Sequence, residues 1–88
     1  MKLIFSTGAW QDYVHWQSQD KKTLKRINRL IEECKRHPFE GTGKPESLRN
    51  ELSGWWSRRI NQSDRMVYRI VEKDGTQHLE IAQVRLHY

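Results

Sequence analysis

The sequence predicts an α+β fold in which two N-terminal helices pack on one face of a mainly antiparallel, twisted sheet. Two observations carry this. Apolar residues recur at helical spacing between residues 7 and 37, whereas beyond residue 54 they alternate with a period of two. Between these regions lies "PFEGTGKPESLRN", Pro38 to Asn50, with two Pro, two Gly and no sustained period, which reads as an ordered loop. The order of elements is therefore β-α-α-β-β-β. With 88 residues the chain has room for one domain, 1–88, and one core, so any site must sit on that core's surface.

Taken in order, "KLIF" is a short strand that stops at Ser6, a good helix N-cap. In "TGAWQDYVHWQSQ", Trp10, Tyr13 and Val14 fall at i, i+3 and i+4, with Ala9 and Trp16 flanking the same stripe. Asp20 caps a second helix, "KKTLKRINRLIEECKRH", whose expected buried stripe is Leu24, Ile27, Leu30, Ile31 and Cys34. Lys35, Arg36 and His37 suit the negative end of its dipole, and Pro38 stops it. Its basic face reads as solvated surface rather than an RNA contact, since helices commonly carry such faces. "GWWSRRI" and "RMVYRIV" are strands joined by the polar turn "NQSD", and "DGT" turns the chain into the final strand, "QHLEIAQVRLHY". Met66, Tyr68 and Ile70 form one apolar face, opposite Arg65, Val67 and Arg69 on a basic, partly open one. Apolar residues on both sides of the final strand place it inside the sheet.

Composition narrows the class. Hydrophobic residues make up 35% and charged residues 31%, which is globular, and the mean hydropathy of −0.97 requires a compact core. Four Trp, three Tyr and two Phe supply large buried area at low side-chain entropy. There is no apolar run long enough for a membrane helix, and "MKLIFS" is too short for a secretory signal, so a cytoplasmic protein is expected. The lone Cys34 excludes an internal disulfide and a Cys-rich zinc site. A net charge of +5 and a pI near 9.7 make nucleic acid or an acidic protein the first partner class to consider.

Cleaving an RNA phosphodiester by its own 2′-hydroxyl requires a base for the 2′ proton, cationic donors for the pentavalent phosphate, and an acid for the departing 5′ oxygen. It requires no metal or other cofactor. The second half of the chain offers each role: Glu46 beside Lys44 in the loop, Arg58 or Arg59 and Arg65 on the hairpin, and His87 at the end. Imidazole is the natural proton donor near neutral pH. His15, His37 and His78 read instead as ordinary surface or strand-entrance residues.

"KLIF" followed by a Trp, "PFEGTGKPESL", "LSGWWSRRI", "DRMVYRI" and the terminal "HY" resemble the Txe/YoeB family within the RelE superfamily of bacterial toxins, across Met1 to Tyr88. The resemblance implies a RelE-like, microbial RNase-like fold and an mRNA interferase, an endoribonuclease that enters the ribosomal A site and cuts the message. It also implies an acidic, partly disordered antitoxin of the YefM/Axe kind, with operator DNA contacted only through the antitoxin complex. A homodimer is a further candidate assembly. Position by position, Glu46 in "KPES" resembles the family's general base, Arg65 in "DRMVY" its transition-state cation and His87 its general acid. Tyr88 resembles the aromatic that orients the scissile nucleotide, and Arg59 and Lys44 look like phosphate contacts. Relatives often carry a second glutamate at the position of Ser63. Here the turn reads Asn61, Gln62, Ser63, Asp64, which leaves Asp64 as the acid that could take its place. The alternative is a catalytically weak or inactive basic module that pairs with an antitoxin and co-represses its operon; only the enzyme needs Glu46, Arg65 and His87 together.

Overall fold

Ser6 separates strand β1 (Lys2–Phe5) from helix α1 (Thr7–Gln19) in the computed structural model, which describes residues 1–87. Its Oγ accepts the Ala9 N–H and donates to the Ala82 carbonyl, both at 3.0 Å, so one side chain starts the helix and ties it to the far end of the chain. Asp20 closes α1 by donating its own N–H to the Trp16 carbonyl. It then opens helix α2 (Lys21–Arg36) by accepting from the N–H groups of Lys22 and Thr23. One residue thus suffices between the two helices.

In α2 the buried residues are Thr23, Ile27, Leu30, Ile31 and Cys34, with Leu24 only half-buried. The expected stripe on α1 is rotated. Ala9 is fully buried, and Tyr13 and Trp16 pack against the core at i+4 and i+7, whereas Trp10 and Val14 are exposed. The apolar residues of this helix span an arc wider than one buried stripe, and the small Ala9 side chain permits close approach to the sheet.

The sheet has five strands in the order β1-β5-β4-β3-β2, all antiparallel except the β1–β5 pair. Strands β3 (Trp56–Arg59), β4 (Arg65–Lys73) and β5 (Thr76–Gln83) match the expected hairpins, and β5 is interior as anticipated. The β4–β5 turn is Asp74-Gly75, both at positive φ (51° and 75°), the two-residue geometry that matches strand twist. The extra strand is β2 (Glu46–Ser47), which pairs with β3 inside the segment read as loop. Two residues carry no readable alternation, and pairing with the β3 edge makes them a strand. A 3₁₀ turn, Asn50–Leu52, follows.

β5 ends at Gln83, five residues before the expected end. A bulge causes this: Tyr68 faces Ile81 but Val67 faces Gln83, so Ala82 is the extra residue and the ladder stops one rung later. The core cluster of Ile27, Leu30, Cys34, Met66, Tyr68, Leu79, Ile81 and Val84 lies between the helices and one face of the sheet. No helix among the described residues is long and apolar enough to cross a membrane.

Candidate active site

Strand register decides which functional side chains meet. Glu46 faces Ser57, Ser57 faces Val67 and Val67 faces Gln83, so these four share the sheet face turned away from the helices. Two residues along, Arg59 faces Arg65 on the same side. Glu46 and Arg59 are exposed and Arg65 is half-buried. Two strand spacings and one pleat repeat separate the Glu46 and Arg65 backbones by about 12 Å, room for a nucleotide between their side chains. Lys44 is exposed in the segment leading into β2. Val67 is 2% exposed yet outside the helix-side cluster, so the open face is more covered near the Glu46–Gln83 row than its basic composition suggests.

The turn before β4 sets the Arg65 guanidinium. Asn61 Oδ1 accepts the N–H groups of Ser63 and Asp64, both at 2.8 Å, which orients the carbonyls of the turn toward Arg65. Arg65 Nη1 donates to Asn61 O at 2.8 Å and Asp64 O at 3.1 Å. These carbonyls engage one terminal nitrogen of the fork.

His87 is delivered by a strapped tail rather than by a strand. Val84 is fully buried, its N–H donates to Asp12 Oδ2 at 3.1 Å, and its carbonyl accepts from Trp16 Nε1 at 2.8 Å. Gln83 Nε2 donates to the Arg85 carbonyl at 3.0 Å. Leu86, at φ 65°, is clamped on both sides: its N–H donates to Asp64 Oδ1 at 2.7 Å, and its carbonyl accepts the Arg65 N–H at 3.1 Å. His87 is therefore one residue from a bond to the Arg65 backbone. Asp64, 7% exposed, commits its Oδ1 to this clamp. Tyr88 lies outside the described residues.

Arg58 requires correction. Proposed from sequence as an RNA contact beside Arg59, it faces Met66 across the ladder and is fully buried on the helix side. Its five N–H donors are all used, on Tyr68 Oη, Glu33 Oε1 at 2.9 Å, and the carbonyls of Thr42, His37 and Glu40. Adjacent strand residues point to opposite faces, so only one of the pair Arg58-Arg59 can reach solvent. The Thr42 N–H and hydroxyl, with Arg58 beside them, hold the Glu33 carboxyl down to about 2. Burial pushes the Cys34 thiol up to about 11 and the Tyr68 hydroxyl to about 12, so neither is ionised near neutrality. The Gly-Thr-Gly segment completes this network. A Cβ at Gly41 would sit 2.0 Å from Glu33 Oε1, and one at Gly43 would sit 2.9 Å from the Arg59 carbonyl, both at positive φ. The Gly43 carbonyl accepts the Arg59 N–H at 2.7 Å, which fixes the loop against β3 ahead of Lys44 and Glu46.

The open face thus brings together Glu46, Arg59 and Arg65, with His87 tethered beside them. The roles of Asp64 and Gln83 carry no local sequence signal, because they depend on where the tail returns. Compared with known proteins, residues 5–88 match the YoeB-like toxin of bacterial type II toxin–antitoxin systems. The chain belongs to that family. A YoeB toxin from Streptomyces coelicolor is 50% identical over 88 residues, covering 100% of both chains. Among solved structures, a YoeB/ParE toxin from Agrobacterium tumefaciens aligns over 100% of both chains with a TM-score of 0.95 and 45% identity. A YoeB chain solved in a heterotetrameric YoeB–YefM toxin–antitoxin complex from Staphylococcus aureus has a TM-score of 0.86 and 42% identity, over 100% of this chain and 98% of that one. The family's fold and the expected α+β architecture agree, with the helices packed on one face of the sheet.

Proposed function

We propose that the chain is a ribosome-dependent endoribonuclease that cuts mRNA in the A site by metal-independent acid–base catalysis and so arrests translation. Glu46 takes the proton from the 2′-hydroxyl, which attacks the adjacent phosphorus. Arg65 stabilises the charge of the pentavalent phosphate, and His87 protonates the departing 5′ oxygen, leaving a 2′,3′-cyclic phosphate. Lys44 and Arg59 contact flanking phosphates, and Tyr88 orients the scissile nucleotide. The observation that carries this reading is the shared face: register sets Glu46 and Arg65 on the same open side, and the Asp64–Leu86 clamp tethers His87 next to Arg65.

The neutralising partner is an acidic antitoxin. The +5 charge supports this, as does the Staphylococcus aureus YoeB structure, which is described as a toxin–antitoxin complex. Operator DNA is reached only through that complex, and the protein acts in the cytoplasm as one domain. A second copy of the chain is a further expected partner, supported by the exposed Leu3, Trp10 and Val14 on the β1–α1 side.

The test is cleavage of ribosome-bound message, mapped by primer extension, with and without EDTA under conditions that keep ribosomes intact. Cleavage in the A site with a cyclic phosphate end, persisting in EDTA, is expected. Absence of cutting alongside tight antitoxin binding would favour the inactive module, and rescue of an EDTA-inhibited reaction by a divalent ion would overturn the metal-independent mechanism.

A further inference from the structure

The open face carries one more ordered group, four residues along β4 from Arg65. The Arg69 guanidinium lies over the Trp55 indole, 4.4 Å from the ring centroid, and Arg69 Nε donates to Glu80 Oε1 at 2.7 Å. Glu80 faces Arg69 across the β4–β5 ladder and is itself only 14% exposed, while Lys73 Nζ approaches its other oxygen at 3.5 Å. Trp55 is half-buried and fixed at its backbone, where its carbonyl accepts the Leu48 N–H just beyond β2. The guanidinium is therefore backed by a ring on one side and pinned at one edge, yet the Arg69 side chain remains 42% exposed.

We propose that Arg69, laid on Trp55 and pinned by Glu80, is a stacking seat for the base of a nucleotide flanking the scissile phosphate. This rests on the endoribonuclease reading and extends its RNA-binding face beyond the acid–base groups. Arg65 and Arg69 share a strand face and stand about 14 Å apart along the backbone. That is a reach beyond the scissile nucleotide rather than within it. A guanidinium plane is flat and weakly hydrated, and RNA-binding proteins stack unpaired bases on such planes as they do on aromatic rings. The geometry favours a base over an acidic peptide. Glu80 already takes the Nε of Arg69 and its charge would repel a second carboxylate, while the guanidinium face turned away from Trp55 can take a base. Arg69 and Trp55 are positioning residues, since neither touches the reacting atoms.

The test is single-turnover cleavage of ribosome-bound message by the full chain and by Arg69→Ala, Arg69→Lys and Trp55→Leu. Each is assayed on messages carrying an abasic nucleotide at successive positions around the cut. Arg69→Ala should raise the concentration for half-maximal rate about ten-fold, in the range seen for loss of one stacked base, with the saturated rate changed less than about two-fold. Arg69→Lys should fail to rescue, because it keeps the charge without the plane. At one flanking position the abasic message should cost the parent protein a similar factor and cost Arg69→Ala nothing further. If Arg69→Ala cuts like the parent, or if its loss and the abasic loss multiply at every position, the stacking seat is overturned while the nuclease stands. If Arg69→Ala loses only antitoxin affinity, the surface serves the peptide instead. If the parent cuts no message, the endoribonuclease reading falls and this inference with it.

Discussion

Replacing Asp64 by alanine tests whether the tail clamp is what makes His87 effective. The bond removed, Asp64 Oδ1 to the Leu86 N–H at 2.7 Å, is short, charge-assisted and made by a side chain only 7% exposed. Such bonds contribute about 1.5–3 kcal/mol, which at about 1.4 kcal/mol per decade corresponds to roughly ten- to hundred-fold in the population of the closed tail. The Arg65 N–H still holds the Leu86 carbonyl and Gln83 still holds that of Arg85, so the lower end, a fall of about ten-fold in kcat, is expected. Asp64→Asn keeps a neutral acceptor and should lose only about three-fold, as for a bond between uncharged groups. Leu86 is 59% exposed, so its freed N–H is taken up by water and the core is little affected. The assay pairs the saturated rate on ribosome-bound message with amide hydrogen exchange at Leu86. Faster exchange at Leu86 with an unchanged rate would refute the link between tail order and catalysis. A lost rate with Leu86 still protected would show that Asp64 acts elsewhere.

Three further outcomes follow from the same structure. Glu46→Ala and His87→Ala should each relieve growth arrest with no loss of folded protein by circular dichroism, because both residues are exposed; continued toxicity of the double variant would defeat the acid–base assignment. Arg58→Met should destabilise the fold by about 3–5 kcal/mol in urea denaturation, because it strips Glu33, Tyr68 and three carbonyls of their donor at once, and a cost below about 1 kcal/mol would contradict the buried network. Since the Glu33 carboxyl is lowered from 4.5 to about 2 in the fold, its contribution is complete above pH 4.5 and is lost as pH falls toward 2; Glu33→Gln should flatten that acid limb, and an unchanged pH profile of stability would count against it.

How much was legible beforehand depended on whether a feature was local. Ser6, Asp20 and Pro38 mark the helix ends through capping and backbone chemistry confined to a few residues, and those boundaries agree with the structure to within a residue. α1 was harder, because its apolar arc is wider than the face that is buried, which leaves the inward part of it to be chosen by packing against β5. Arg58 and Arg59 were indistinguishable as types, although the pairing of Arg58 with Met66 follows once the hairpin register is known. The tail was illegible for a different reason. The Asp64 clamp and the Asp12 contact join residues 22 and 72 positions apart, and the Ala82 bulge depends on the pairing of two strands, so no short window along the chain shows these contacts.

The parallel pairing of β1 with β5 also constrains when this protein can come into being. Strand β5 is the sole sheet partner of β1 among the described residues and also pairs with β4, and it is synthesised after both. Ser6 must wait for Ile81 and Ala82 before its N–H and hydroxyl find their partners. A nascent chain that already carries both helices and the β3–β4 hairpin still lacks the strand that joins them, so the β1–β5 pairing is of long range and closes late. At about 5–20 residues per second the stretch from the end of β4 to the end of β5 takes about 0.5–2 seconds to add. During that time the ribosome that makes the chain holds a polypeptide with Glu46 and Arg65 in place in sequence but with no tail to bring His87 to them.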